Sequence, residues 1–192
     1  LTEGDKLEII IGQKGSNNTQ QQYNNNSSYN IGGGGGGGSF VRFISPVSSS
    51  PLIVCGGGGG AGSYKETTIN PTYQDGSHAT SSTTGQDAKP MGPGTHANAI
   101  GVGGTNGSGG TSGESHRPGG GGAGWYSDGG TISSTIGGAG YGRGGLTHSN
   151  GFIGGDPETF QGTNPPYPGA FGGGGGPLLG GGGGGGYSGG GG

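Results

Sequence analysis

Six uninterrupted glycine runs, at 32–38, 56–60, 119–122, 172–176, 180–186 and 189–192, punctuate the chain from near its start to its last residue. Glycine has no side chain to bury and loses more backbone freedom on ordering than any other residue. One such run in isolation therefore stays flexible. Glycine and proline account for 61 and 11 of the 192 residues, a content that without a strict period reads as disorder. The glycines come in blocks with no sustained Gly-X-Y repeat, which excludes a collagen triple helix. An ordered alternative is an extended three-fold helix of the polyproline II shape, rising about 3.1 Å per residue. Such a helix has no internal hydrogen bonds, so its N–H and C=O groups must find partners outside it. Several runs side by side can supply them, because nothing projects from the chain to hold neighbours apart. Close Cα–H···O contacts add weakly.

Only 23% of the chain is hydrophobic, too little for an ordinary core in a domain of this size. Charged residues make up 9% and the net charge is −3. That argues against nucleic acid as a partner, since phosphate binding needs clustered lysine and arginine. No apolar stretch approaches the ~20 residues that span a bilayer. The chain opens on Leu1 with neither methionine nor signal sequence, and reads as a mature or trimmed piece of a longer protein. Cys55 is the single cysteine, so no intrachain disulfide framework exists. Asn-X-Ser/Thr sequons begin at Asn17, Asn25, Asn26 and Asn106 and give modest support for a secretory route. The Ser/Thr clusters at 48–50 and 80–84 are weaker candidates for O-linked sugars. The expected location is extracellular or at the cell surface.

Between the glycine runs lie short apolar strands and polar insertions. Residues 6–12 read as a strand with the β-branched cluster Ile9, Ile10 and Ile11. Residues 39–45, with Phe40, Val41, Phe43 and Ile44, read as a second. Residues 51–55 are too brief for a helix, are bounded by proline and glycine, and read as a buried strand. These strands form a small β-layer from which the glycine runs leave. Residues 16–30 are Asn, Gln, Ser and Tyr and read as a flexible surface insertion; the sharper reading is a glycan-bearing or self-associating patch. Residues 61–118 form a long polar insertion, either irregular and packed on the glycine bundle or mobile. Trp125, the only tryptophan, is expected to cover the side or end of the glycine layer, with a sugar-stacking platform as the lesser alternative. Ile132, Ile136, Phe152, Ile153 and Phe160 read as small plugs into the bundle edge.

No chemistry competes with this architecture. A G-x-G-x-x-G match is inevitable in such a composition, and no Gly-Lys-Ser/Thr occurs for a phosphate-binding loop. The triplet at Arg143 is a lone RGG-like match without an RNA-recognition motif. His78, His96, His116 and His148 are too far apart for a local metal motif, and solvent exposure is their expected state. Asp128, Asp156 and Glu158 lack calcium-loop spacing. Cys55 ends an apolar strand, where a small buried thiol is expected and an intermolecular bridge is the sharper alternative. No catalytic, cofactor-binding or metal-binding residue is nominated, and no cofactor is expected.

The ordered series of segments resembles the glycine-rich domain of anaplastic lymphoma kinase and leukocyte tyrosine kinase. Residues 4–15, Gly-Asp-Lys-Leu-Glu-Ile-Ile-Ile-Gly-Gln-Lys-Gly, are similar to its opening segment. Residues 32–41, 51–60, 119–125 and 170–190 follow in the same order, with Trp125 and Tyr187 in place. Similar modules occur in microbial surface proteins and phage tail adhesins. The resemblance implies a rigid extracellular bundle of glycine helices beside a β-sandwich-like part. It does not imply a receptor: the chain holds no kinase domain and only Cys55, and no ligand-contacting residue carries over. The strands that flank the region in the family are missing at both ends, and the sheet edge left open is one that another copy could fill, head to tail, into a filament.

The expectation is thus one glycine-rich domain over 1–192, all-β or irregular. A bundle of polyglycine, polyproline-II-like helices lies beside a small β-sandwich-like layer, with no α-helical core. The expected function is that of a non-enzymatic extracellular structural or adhesive protein, a glycosylated self-assembling fibre subunit. The alternatives are a ligand-binding ectodomain module of a receptor and a receptor-binding tip adhesin of a phage or microbe. Expected partners are further copies of the chain, glycans or a cell-surface molecule, with no nucleic acid and no membrane span. Trp125, Tyr187 and Cys55 are the structural residues singled out.

Overall fold

The computed structural model describes residues 1–17, 19–23, 27–45, 48–62, 75–89, 100–114, 118–132, 142–157, 168–177 and 180–192. The strands are β1 (Lys6–Ile10), β2 (Thr19–Tyr23), β3 (Ser27–Ile31), β4 (Ser39–Ser45) and β5 (Ile53–Cys55). Strands β1, β4 and β5 form one antiparallel sheet in that order, while β2 and β3 pair only with each other. Among the described residues there is no α-helix, only a single 3-10 turn at His148–Asn150. The fold is all-β and irregular. Among the described residues the strands make a three-stranded sheet and a separate two-stranded pair.

Alternation along the strands gives the sheet two different faces. Ile10 pairs with Phe40 and Phe40 with Val54, and this row faces the core, where Phe40 and Ile10 retain 2% and 8% of their exposure. One residue along, Ile9 pairs with Val41 and Val41 with Ile53 on the opposite face, where Ile9 is 64% exposed and Ile53 59%. Strand β4 has the expected bounds, but β1 stops at Ile10 instead of residue 12 and β5 starts at Ile53 instead of residue 51. The cause at β1 is a change of partner: the Gly12 N–H donates to the Ser39 hydroxyl (2.9 Å) rather than to a ladder carbonyl. At β5, Pro51 has no N–H to give. Residues 16–30, expected to be a flexible insertion, contain β2 and part of β3, paired from Thr19↔Ile31 to Tyr23↔Ser27.

Beyond the sheet the neighbour order persists but the period changes from two to three. Gly33 and Gly36 donate to Ala61 and Gly58; Gly34 and Gly37 donate to Ser16 and Gln13; Gly35 and Gly38 donate to Gly175 and Gly172. Each third residue thus returns to the same neighbour, and successive residues address three different ones. The continuations of β1, β4 and β5 lie side by side in the same order as the strands. The segment 120–125 repeats the pattern: Gly120 and Ala123 donate to Gly176 and Gly173, Gly121 and Gly124 to Gly130 and Ser127, Gly122 and Trp125 to Gly190 and Tyr187. The run 180–186 lies between these groups, with Gly182 and Gly185 donating to Gly33 and Gly36, and Gly183 and Gly186 to Gly120 and Ala123.

The apolar core is small and sits at the sheet end of these runs. Ile10, Phe40, Trp125 and Phe152 form it, with Val54 and Tyr187 packed against it. Phe40 meets Phe152 at 4.8 Å and Trp125 at 5.4 Å between ring centroids. Phe152 takes the left-handed conformation (φ 55°), which a bulky residue adopts only where packing holds it, directly after Gly151 (φ 86°) closes the 3-10 turn. Of the other expected plugs, Ile132 is part-buried and Ile153 is 56% exposed. Ile136 and Phe160 lie outside the described residues. Within the polar insertion 61–118, the described parts are irregular and packed on the glycine runs. Gly59 donates to Ser77, Gly85 and Ala88 to Gly104 and Gly101, and Gly104 and Gly101 to Gly189 and Gly192.

Candidate functional site

A concave site, a groove of about 370 Å³, lies between the loop 77–86, the glycines at 56–59 and the glycines at 184–191, with Tyr187 on its wall. The loop owes its shape to its own hydroxyls. Thr80 Oγ1 and Ser82 Oγ both donate to the Thr84 carbonyl at 2.9 Å. An isolated bridge between Thr84 and Thr105 ties its end to the next segment. Ser188 donates to the Thr83 carbonyl and accepts from the Gly107 N–H (2.9 Å). Short hydroxyl side chains suit this role, because they reach backbone groups a few residues away. The groove is therefore preformed.

Its lining among the described residues holds hydroxyls, backbone amides and carbonyls, the exposed His78 and one phenol, with no carboxylate, lysine or arginine. Donors and acceptors of both kinds beside an aromatic ring match a neutral, polyhydroxylated ligand better than an anion, which would call for fixed positive charge. Among the described residues no group of three or more His, Cys, Asp or Glu could hold a metal ion. Asp128 is occupied by the turn beside it, accepting from the Thr147 N–H (2.7 Å) and from Asn150 Nδ2.

The structure separates the residues singled out in the sequence. Asn17 and Asn106 are exposed, the latter in a tight turn with φ 50°. Asn25 and Asn26 lie outside the described residues, as do His96 and His116. Trp125 is completely buried at the end of its glycine run, and its Nε1 donates to the Ser49 carbonyl at 2.8 Å. A fully buried indole has no face for a sugar to stack on, which removes the lesser reading of that residue. Tyr187 is part-buried between the core and the groove. Cys55 is exposed, not buried as expected, because β5 is an edge strand and the thiol alternates onto the uncovered face of the sheet. His148 also departs from expectation. It is part-buried, stacks flat on Trp125 (4.1 Å, 4°) and engages the Trp125 carbonyl through Nδ1. Nothing local in the sequence links positions 125 and 148, or 49 and 125.

Among the described residues no helix is long and apolar enough to cross a membrane. No family model, no curated protein and no solved structure matches the chain.

Proposed function

We propose that this chain is a non-enzymatic, extracellular structural domain of the glycine-rich type found in anaplastic lymphoma kinase and leukocyte tyrosine kinase. Its glycine runs are three-fold extended helices packed into a backbone-held bundle, and the stiff body they make is a self-assembling fibre subunit with glycans on its surface loops. The observation that carries this reading is the donor period of three. A β-strand addresses two sides in alternation; a three-fold helix addresses three, as 33–38 and 120–125 do. Ordering so much glycine costs backbone entropy, and the lateral hydrogen bonds are what offset it. A body of this kind resists deformation without offering reactive side chains, which suits a mechanical role. The exposed Asn17 and Asn106 sequons support surface glycosylation.

A second reading, a tip adhesin, is favoured by the neutral hydroxyl-lined groove, which could take a surface glycan. Electron microscopy of native, untagged material, taken without prior concentration, discriminates the two. Long uniform filaments are the expected result. Discrete small particles that bind whole cells, with binding sensitive to changes in the 77–86 loop, would move the weight to the adhesin.

A further inference from the structure

Among the described residues, the face of the sheet turned away from the core is apolar and partly exposed: Ile9, Ile11 and Ile53 are open, while Leu7, Val41 and Phe43 are part-buried. Leu7, Ile9, Ile11, Val41, Phe43 and Ile53 alternate onto it, and Ile9, Ile11 and Ile53 are 64%, 67% and 59% exposed. An antiparallel sheet with water on its second face carries polar residues there. Where the strands end, the same layer continues as 12–16, 33–38 and 56–61. On that continuation lies a second groove of about 700 Å³, floored by glycine. The inner side of the layer is hydrogen-bonded to 172–175 and 182–185, and no residue of those runs is among the described residues that line this groove. The groove is therefore on the outer side, in line with this apolar face. One surface thus carries an apolar block and, next to it along the strands, a recess lined mostly by glycine, with Gln13, Lys14, Ser16, Asn17 and Ala61 among its described lining.

We propose that this surface is the joint between two copies of the chain, related by a two-fold axis at the row Ile11–Ser39–Cys55, where strand gives way to glycine. The proposal rests on the self-assembly reading above and names the joint that pairs two copies; a two-fold joint closes on a dimer, so a filament is built of such dimers joined through a second, different contact. A half-turn about an axis in the plane of contact, parallel to the layer and across the strands, sends each block onto the other copy's recess. It also keeps the two sets of strands aligned, as packed sheets require. Isologous pairing needs a surface that does not repel itself. The block carries no charge, and the recess has one charged residue among its described lining, Lys14, whose carbon stem can lie along apolar surface with the ammonium in water. Three strands at ~4.8 Å spacing and their continuations give roughly 500 Å² of layer per copy, on the order of the ~1,000 Å² total that a specific interface needs.

The axis brings the two exposed Cys55 thiols to the same side of the joint, facing each other across it. The test uses the full chain. Sedimentation over a concentration series reads association, and a short bis-maleimide, whose two alkenes each add one thiol, reads the Cys55–Cys55 approach. The expected result is association together with a Cys55-dependent covalent dimer. In the variant carrying Ile9→Lys and Ile53→Lys, association should weaken at least tenfold and the adduct should disappear, while Trp125 fluorescence and amide protection stay native. The cross-link needs no variant: an unmodified chain that associates without the Cys55 adduct overturns the joint and leaves self-assembly standing. Unchanged association of the folded double variant does the same. A wild-type chain that stays monomeric throughout removes the self-assembly reading, and this joint with it.

Discussion

The most direct probe of the proposed backbone-held bundle is one methyl group. Gly35 lies in the middle of its run, donating to Gly175 (3.0 Å) and accepting from Ala170 (2.9 Å). A Cβ there would stand well inside 3.0 Å of the Gly183 carbonyl oxygen, a backbone atom that cannot rotate away. Gly35→Ala therefore forces 180–186 and 32–38 apart. The bonds at risk are the two just named and those from Gly182 to Gly33 and from Gly185 to Gly36. At a net ~1 kcal/mol each, partial loss of these costs about 2–4 kcal/mol. A stiffer unfolded chain returns only ~0.4–1 kcal/mol. The net loss of about 1–3.6 kcal/mol should lower Tm by roughly 2–14 °C at ~2–4 °C per kcal/mol for a chain of this length. Gly56→Ala is the matched control: its Cβ would meet nothing closer than the Ala79 Cβ at 3.5 Å, and there the unfolded-state term alone predicts a gain of ~0.4–1 kcal/mol. Urea unfolding followed through the single tryptophan measures both. A Gly35→Ala midpoint equal to wild type, or a Gly56→Ala variant equally destabilised, would refute close-packed glycine runs as the source of stability.

Trp125→Ala removes a fully buried ring and its bond to Ser49, and should destabilise by ~3–5 kcal/mol in the same titration. Glu8→Gln breaks the ion pair with Arg42, but the two side chains are 41% and 29% exposed, so the midpoint should shift by less than ~1 kcal/mol. Amide exchange should find the 33–38 and 120–125 amides protected; exchange at intrinsic rates there would mean the runs are disordered. Enzymatic deglycosylation of native material in heavy-oxygen water should convert Asn17 and Asn106 to labelled aspartate, detected by mass spectrometry.

The position of the strands was readable because β-branched and aromatic residues cluster between glycine runs, and β4 matches its expected bounds at both ends. The neighbour order β1-β4-β5 was not, since nothing local chooses which strand is central. That omission explains the error at Cys55. A short continuous apolar run reads as a strand covered on both faces, but β5 sits at an edge with one face bare, and the residues that alternate outward, Ile53 and Cys55, are exposed. The groove was invisible for a related reason. Residues 80–83 register in the sequence only as a hydroxyl cluster, and their wall forms when Thr84 meets Thr105 and Ser188 reaches Thr83 across more than a hundred positions.

A chain with so few apolar residues can order so many glycines because of where those residues fall. Ile10 precedes the segment 12–16, Phe40 follows 32–38, Val54 precedes 56–60, Trp125 follows 119–124 and Tyr187 follows 180–186, while the Phe152 carbonyl accepts from both Gly172 and Gly173. Phe40, Val54, Trp125 and Tyr187 thus stand at the ends of glycine segments, Ile10 at the start of the segment that lies beside them, and Phe152 against the start of another, and the core gathers these ends into a single collar. A run fixed at one end has already lost much of the freedom that pairing with a neighbour would otherwise cost, since closing a short tethered loop is entropically cheaper than joining distant segments. The hydrogen bonds then extend away from the collar three residues at a time. Apolar burial supplies the anchor and the backbone supplies the length, so mutations in the collar should unfold the whole body, whereas a methyl placed at the far end of a run should loosen that end first.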